Sequence, residues 1–306
     1  MESFASIECF VRSAELGSFA EAARRLGLSA AAVSKNVARL ETSVGMRLFQ
    51  RSTRHLALTE AGQQFLDEVG GSLATIQNAV ANLASAQGRP SGTLRVSVGP
   101  GFGRLYLVPL LGEFLTRYPD IRPDWHFDNR QVDLIAQGFD AALGGGFELP
   151  QGVVARKLGP AHRVLVASPG YAAAHPLDHP AQLRDCHGIV IRSPQSGRVR
   201  SWPLTHRNQS TAALELRPDI AMSDSDAACL AAAQGLGVAL VSMPFASAYI
   251  ASGHVVRVLP DWYVDNGNLS IYYAAQRLLP GKTRAFVDYV VEQFETQKLA
   301  EKFNAA

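Results

Sequence analysis

Between Arg24 and Arg54 the chain carries seven cations, Arg24, Arg25, Lys35, Arg39, Arg47, Arg51 and Arg54, against one anion, Glu41. A local excess of this kind suits a surface that faces phosphates, because each neutralised phosphate releases condensed counterions. The whole chain conceals it: 29 basic and 27 acidic residues leave a formal net charge of only +2. Set among these cations, Ser34, Lys35 and Asn36 carry hydrogen-bonding groups suited to base edges or phosphates, while the small pair Ala30-Ala31 lets a backbone lie close to a duplex. The chemistry implied is recognition of nucleic acid, with no covalent bond made or broken.

Two helices must position those groups. Ser18 and Glu21 have the spacing of a capping box and predict a helix start, after which Ala22, Ala23 and Leu26 supply an apolar stripe. Gly27 suits the left-handed conformation of a helix stop. Two residues further, Ser29 is placed to cap a second helix, in which Val33, Val37, Leu40 and Val44 recur every three or four residues and face inward. The opposite face then presents Ala30, Ala31, Ser34 and Lys35, with Asn36 and Arg39 further round. A plain helical pair with a solvated basic face would share this local pattern, so residues outside it must decide.

A longer helix is expected from Thr59. Within it Val69, Leu73, Ile76, Val80 and Leu83 step by four, three, four and three, a heptad seam suited to pairing with a second helix. Gly70-Gly71 interrupts it at a cost of about 1 kcal/mol each relative to alanine and is a natural place for a bend.

Taken together, Phe10-Val11, Gly17-Ser18-Phe19, Ala22-Ala23-Arg24-Arg25-Leu26-Gly27-Leu28-Ser29, Ala32-Val33-Ser34-Lys35 and Arg39-Leu40-Glu41 resemble the N-terminal domain of LysR-type transcriptional regulators. So do Gly45-Met46-Arg47-Leu48-Phe49-Gln50-Arg51 and Leu58-Thr59-Glu60-Ala61-Gly62. The resemblance is specific over roughly the first 65 residues and rests on pattern beyond them. It implies an all-α winged helix-turn-helix head and a two-lobed α/β body similar to type 2 periplasmic binding proteins. In the head it implies a wing from Arg51 to Leu58 whose Arg51, Thr53 and Arg54 contact DNA. It further implies promoter DNA bound as paired half-sites, a homodimer formed through antiparallel linker helices and assembled into a homotetramer, and RNA polymerase as a further partner. The family often has Gln-Pro where this chain has Ala30-Ala31, which leaves Ser34, Lys35 and Asn36 beside the capping Ser29 as base readers.

The domain boundaries expected are residues 1–58 for the head, 59–88 for the linker helix and 89–306 for the body. Gly88-Arg89-Pro90-Ser91-Gly92 breaks the pattern, and short apolar runs then alternate with helical ones, as in an α/β fold with largely parallel strands. The first lobe is expected over about 93–160 and 268–306. Its elements are strands at 94–98, 121–127 and 139–143, a helix at 104–117 with Leu105, Val108, Leu111 and Leu115 inward, and a short helix at 132–137. The second, about 161–267, has strands at 163–166, 188–191, 220–222 and 238–241, and a helix at 227–234 capped from Ser223-Asp224-Ser225-Asp226. A strand at 269–275 and a helix at 283–297 close the chain, and the resemblance returns them to the first lobe.

Clefts between such lobes hold small ligands at strand-to-helix junctions. Candidate effector contacts are Gly99, Pro100, Gly101 and Phe102 after the first body strand, Gly144, Gly145 and Phe147 after the third, and Ser223 and Asp224 in the second lobe. The resemblance adds Ser193 to Ser196 and the loop before Leu269. Free N–H groups at Gly99-Gly103 could receive a carboxylate without a cation. No cofactor is expected, only a small effector whose identity the sequence withholds.

An enzyme with a nucleotide site is the alternative, on the strength of Gly99, Gly101, Gly103 and Asp128. The spacing is G-x-G-x-G where a dinucleotide fingerprint needs G-x-G-x-x-G, and no acid, base or nucleophile cluster accompanies it. Cys9, Cys186 and Cys229 lack metal spacing and read as buried thiols of a reducing compartment. His175 and His179 have a helical metal-pair offset, but Pro176 and Pro180 break any helix there. No apolar run approaches the roughly 18 to 20 residues that cross a bilayer, so a cytoplasmic chain is expected.

Overall fold

The computed structural model describes residues 4–50, 56–84, 89–146, 151–193, 195–276 and 278–306. By contact the chain divides into two compact units, Met1–Gly88 with Asp133–Phe139, and Arg89–Val132 with Asp140–Ala306.

In the first unit, helices α1 (Phe4–Leu16), α2 (Phe19–Leu26) and α3 (Ala30–Val44) precede the antiparallel strands β1 (Phe49–Gln50) and β2 (Ala57–Leu58), and α4 (Glu60–Ala84) follows. Phe10, Ala22, Val33, Leu40 and Leu48 are fully buried or nearly so, and the Phe10 ring lies 5.3 Å from Phe49 and 5.4 Å from Phe65. Each such large side chain contributes about 1.5–3 kcal/mol through burial. Helix α4 starts against the strand pair: Thr59 Oγ1 donates to the Arg47 carbonyl and accepts from Gly62 N–H. Gly62 is obligatory there, since a Cβ would lie 2.0 Å from the Leu48 carbonyl oxygen.

The heptad expectation for α4 needs correction. Leu73 is 3% exposed and joins the head core with Phe65, Leu66 and Val69, so the first half of the stripe is consumed by the helix's own domain. Ile76, at 48% exposure, is the first seam residue turned to solvent. The helix runs through Gly70-Gly71; the side chains of Val80 and Leu83 lie outside the described residues.

The second unit opens with β3 (Gly92–Val98), followed by α5 (Pro100–Phe102), a π turn (Gly103–Leu107), a 3-10 turn (Val108–Leu110) and α6 (Leu111–Arg117). This irregularity overturns the first half of the expected inward face, while Leu111 and Leu115 pack against the core as expected. Leu105 and Val108 are 37% and 45% exposed, while Leu107 and Phe114 are buried. The wide turn adds a residue and Pro109 removes an N–H, so the 3.6-residue phase is reset between them. Strands β4 (Ile121–Phe127) and β5 (Ala141–Gly145) lie parallel to β3. The helix expected at 132–137 is instead a turn whose Ile135 and Ala136 N–H groups are held by the Asp133 carboxylate.

Strand β6 (Val153–Pro160), missed in the sequence, leads across to β7 (Arg163–Ala167) and α7 (Pro169–Ala174). Then follow β8 (His187–Ile191), β9 (Pro203–His206), β10 (Thr211–Ala213), β11 (Arg217–Met222), α8 (Ser225–Ala233), β12 (Val238–Ser242), α9 (Met243–Ala251), β13 (Val256–Arg257) and β14 (Trp262–Tyr263). The chain returns through β15 (Asn268–Ala274) and ends in α10 (Gly281–Thr296) and α11 (Leu299–Lys302). The two main sheets have the orders β4-β3-β5-β15-β6 and β11-β8-β12-β7-β13. Both are mixed: β15 runs antiparallel to β5 and β6, and β7 antiparallel to β12 and β13.

The two crossovers pair with each other, Arg163 and Val264 exchanging backbone hydrogen bonds of 2.9 Å and Ala161 N–H reaching Gly267 O at 2.9 Å. Near the start of α10, Lys282 and Asp140 form an ion pair at 2.7 Å, both side chains almost fully buried. It fastens the C-terminal helix to the first sheet.

Candidate functional site

On α3 the separation of faces is clean. Val33, Val37 and Leu40 are buried, and Ala30, Ala31, Ser34, Lys35 and Arg39 are exposed. Ser29 caps the helix, its Oγ accepting from Ala32 N–H at 3.2 Å, and Gly27 and Gly45 stop α2 and α3 in the left-handed region at φ 66° and 72°. Ser18 accepts from Glu21 N–H at 3.3 Å, but the Glu21 carboxylate pairs with Arg24, so only one arm of the expected capping box is used.

Asn36 departs from the expected row. It is half-buried and hydrogen-bonded to the Cys9 thiol, whose pKa burial nonetheless raises. Part of its hydrogen-bonding capacity is thereby used inside the head. Arg51, Thr53 and Arg54 lie outside the described residues.

Sequence reasoning missed the work of Glu41. This nearly buried carboxylate accepts from Leu48 N–H at 2.8 Å, Phe49 N–H at 3.1 Å and the Arg47 guanidinium at 2.9 Å. It ties the end of α3 to the first strand of the hairpin, so the anion amid the cations is a brace.

In the second unit a cleft of about 330 Å³ lies between the two sheets' loop ends. That is within the roughly 300–1,000 Å³ range of small-molecule sites. Of the expected contacts, Gly99, Phe102, Gly144, Gly145 and Ser193 line it. Four do not. Pro100 is exposed at the start of α5. A Cβ on Gly101 would lie 2.7 Å from Phe245, so Gly101 serves the packing of one lobe on the other. Asp224 caps α8 through Ala227 N–H at 2.9 Å and accepts from Asn129 at 3.2 Å; Ser223 beside it is exposed and off the lining. Phe147 lies outside the described residues.

The lining includes Asp128, singled out only for the nucleotide alternative, and gains residues that no motif announced: Asn129, Arg130, Arg163, Arg200, Trp202, Phe245 and Tyr272. Asp128 is committed to Arg130, with contacts of 2.9 and 2.7 Å to its guanidinium, and these hydrogen bonds hold its carboxyl below the usual range. Burial pushes the Tyr272 hydroxyl up to about 12. Cross-lobe contacts frame the cleft: Tyr106 donates to the Pro244 carbonyl at 2.6 Å, and Arg104 pairs with Asp226.

The remaining candidates have local roles. His175 stacks on Tyr171 with ring centroids 4.2 Å apart, and His179 caps the 3-10 turn Pro180–Asp185. All three cysteines are free and buried, and burial pushes the Cys229 thiol up to about 12. Among the described residues no helix is long and apolar enough to cross a membrane.

A capped recognition helix ahead of a two-lobed body with a ligand-sized cleft defines a ligand-responsive DNA-binding protein. Residues 4–63 match the family described as bacterial regulatory helix-turn-helix protein, lysR family, and residues 87–295 match the LysR substrate binding domain. The chain belongs to the LysR family of transcriptional regulators. An HTH-type transcriptional regulator of Xanthomonas campestris pv. campestris is 34% identical over 92% of this chain and 83% of its own length. PtxR of Pseudomonas aeruginosa is 30% identical over 92% and 90%. Among solved structures, the full-length virulence activator AphB of Vibrio cholerae aligns at 25% identity and a TM-score of 0.60, covering 95% of this chain and 99% of that one. CrgA of Neisseria meningitidis aligns at 26% identity and 0.59, covering 96% and 99%. The protein is a transcriptional regulator with a helix-turn-helix DNA-binding domain and an effector-binding regulatory domain. The nucleotide-enzyme alternative finds no support among these relatives.

Proposed function

We propose that the outward face of α3 enters the major groove of promoter DNA, with Ser34 and Lys35 reading base edges and Arg39 contacting phosphate. The observation that carries this reading is the exposed row Ala30, Ala31, Ser34, Lys35 and Arg39 on a helix whose opposite face is the head core. Small side chains at its first turn let the backbone approach the duplex, and Arg25 adds positive charge nearby. Arg51, Thr53 and Arg54 continue the contact along the wing.

The head is assigned to residues 1–58, the linker helix to 59–88 and the body to 89–306. Self-association runs through α4 from Ile76 onward and yields a dimer, and a tetramer from pairs of dimers, so that two recognition helices meet half-sites one helical turn apart or a multiple of it. The protein acts in the cytoplasm without catalysing a reaction, with RNA polymerase as a further partner at the promoter. A ligand in the cleft, touching Gly99, Phe102, Gly144, Gly145 and Ser193, shifts the population of lobe arrangements and thereby DNA affinity or bending. A coupling of about 1–3 kcal/mol corresponds to a 5- to 150-fold response.

The test is retention of sheared DNA from the source genome by the purified full-length protein, followed by sequencing. The expected result is enrichment of a limited set of fragments sharing paired half-sites. Failure to retain any fragment above background, even at low salt, overturns the reading.

A further inference from the structure

Arg163 is the first residue of β7, where one crossover enters the second lobe, and its side chain faces the cleft. Its backbone is locked to Val264 of the other crossover. Among the described residues, its buried Nε has no hydrogen-bond partner. The charged group felt by this guanidinium is Arg200, of like sign, and burial with that repulsion pushes its pKa down to about 10. Both guanidiniums stand over Trp202, 5.2 Å and 4.6 Å from its ring centroid. The carboxylate of the lining, Asp128, is already taken by Arg130. Among the described residues, the cleft therefore holds two cations with no anion to answer them.

An uncompensated buried charge is costly, and a folded protein keeps one where a ligand completes it. Ser193 closes the turn that precedes Arg200 and Trp202 in the chain, its N–H donating to the Arg198 carbonyl at 2.8 Å. The same lining includes the apolar side chains of Phe102, Leu143, Ile191 and Phe245. Resting on the reading of this cleft as the effector site, we propose that the effector is a small organic carboxylate, its anionic group received by Arg163 and Arg200 and its apolar body lying against those four side chains. Because Arg163 belongs to the paired crossovers, neutralising it acts at the junction of the lobes.

The experiment uses the full-length protein and follows thermal unfolding and tryptophan fluorescence with sodium phenylacetate, its uncharged isostere phenylacetamide, and sodium sulfate at matched ionic strength. Arg163→Met tests the buried cation, and Arg200→Gln, at an exposed position, tests the same site without disturbing the core. Phenylacetate should raise the unfolding temperature and perturb fluorescence in the unaltered protein, with at least tenfold weaker apparent affinity in either variant. Phenylacetamide and sulfate should have little effect, and Arg163→Met without ligand should be no less stable than the parent. Equal responses to phenylacetate and phenylacetamide that survive both substitutions would overturn the carboxylate assignment while leaving the cleft as a ligand site. A response to sulfate matching that to phenylacetate would overturn the organic ligand. No response to any probe would overturn both the assignment and the cleft reading.

Discussion

The head and the body solve the same problem, presenting polar groups to a partner, in opposite ways. In the head, the groups lie within ten residues on one face of one helix, and the other face of that helix is the hydrophobic core. In the body, the cleft gathers Gly99, Asp128, Gly144, Arg163, Arg200, Phe245 and Tyr272 from segments far apart in the chain. A helix face is tolerant, because any outward residue can change without repacking the domain. The cleft is coupled to the fold at every residue, and its cation Arg163 sits on the crossover itself.

The same contrast appears in how each region uses a buried charge. Lys282 and Asp140 pin α10 to the body sheet, with Asp140 also accepting from Arg95 N–H at 2.8 Å and Lys282 donating to the Thr93 carbonyl. Removing one partner of such a pair leaves the other uncompensated, so Lys282→Ala should destabilise the body by about 4 kcal/mol. Chemical denaturation should show this as loss of the body's transition at lower denaturant, and an unchanged midpoint would deny the pair its role. Leu73→Ala should cost the head about 3 kcal/mol through a cavity. Ile76→Asp should leave head stability intact and lower the mass measured by light scattering; the reverse pattern would restore Leu73 to a dimer seam.

Glu41 is the head's counterpart to Lys282. Glu41→Ala strands two backbone donors and should cost about 2 kcal/mol, read from thermal unfolding, with DNA affinity falling because the hairpin loses its brace. A head of unchanged stability would make Glu41 an ordinary surface acid.

The smallest effect expected is acid sensitivity at the crossover. His162 is buried, lies against the Tyr263 ring in a tilted arrangement with centroids 4.7 Å apart, and accepts from Ala305 N–H at 3.0 Å through Nδ1, which requires Nδ1 to be unprotonated. Burial lowers its pKa from the ordinary 6.5, opposed by Asp265 and assisted by Lys157 and Arg257. The unfolded chain then takes up the proton first. The contribution is complete above about pH 6.5 and is lost as pH falls through the folded value. Unfolding temperature should decline between pH 7.5 and 5.5, and His162→Gln should flatten that slope; an identical slope would exclude His162.

Where local physics decides structure, the sequence was readable. Ser29, Gly27 and Gly45 mark helix ends by their own conformational preferences, and α3 lies where its caps and apolar spacing put it. Legibility failed where a distant contact decided. The stripe on α4 looked like one continuous seam, yet Leu73 belongs to the head core and Ile76 does not. Residues 104–117 looked like one regular helix, and the π turn with Pro109 rephased it. Asn36 faces the Cys9 thiol, a partner supplied by another helix. Gly99 and Gly144 could be placed at the cleft because strand ends point there in such folds. Arg163 and Arg200 could not, since the expected change of lobe near 161 does not say which side chain there faces the cleft, and nothing near Arg200 shows that both guanidiniums come to lie over Trp202.

The central claim, that the exposed face of α3 reads DNA, is tested most directly by fluorescence anisotropy on one retained genomic fragment and one scrambled fragment, comparing the parent with Lys35→Ala and Arg39→Ala across a salt series. Lys35→Ala should cost about 1–3 kcal/mol of discrimination between the fragments. Arg39→Ala should weaken both alike and reduce the salt slope by about 0.9. Unchanged affinity, discrimination and salt slope in both variants would contradict it.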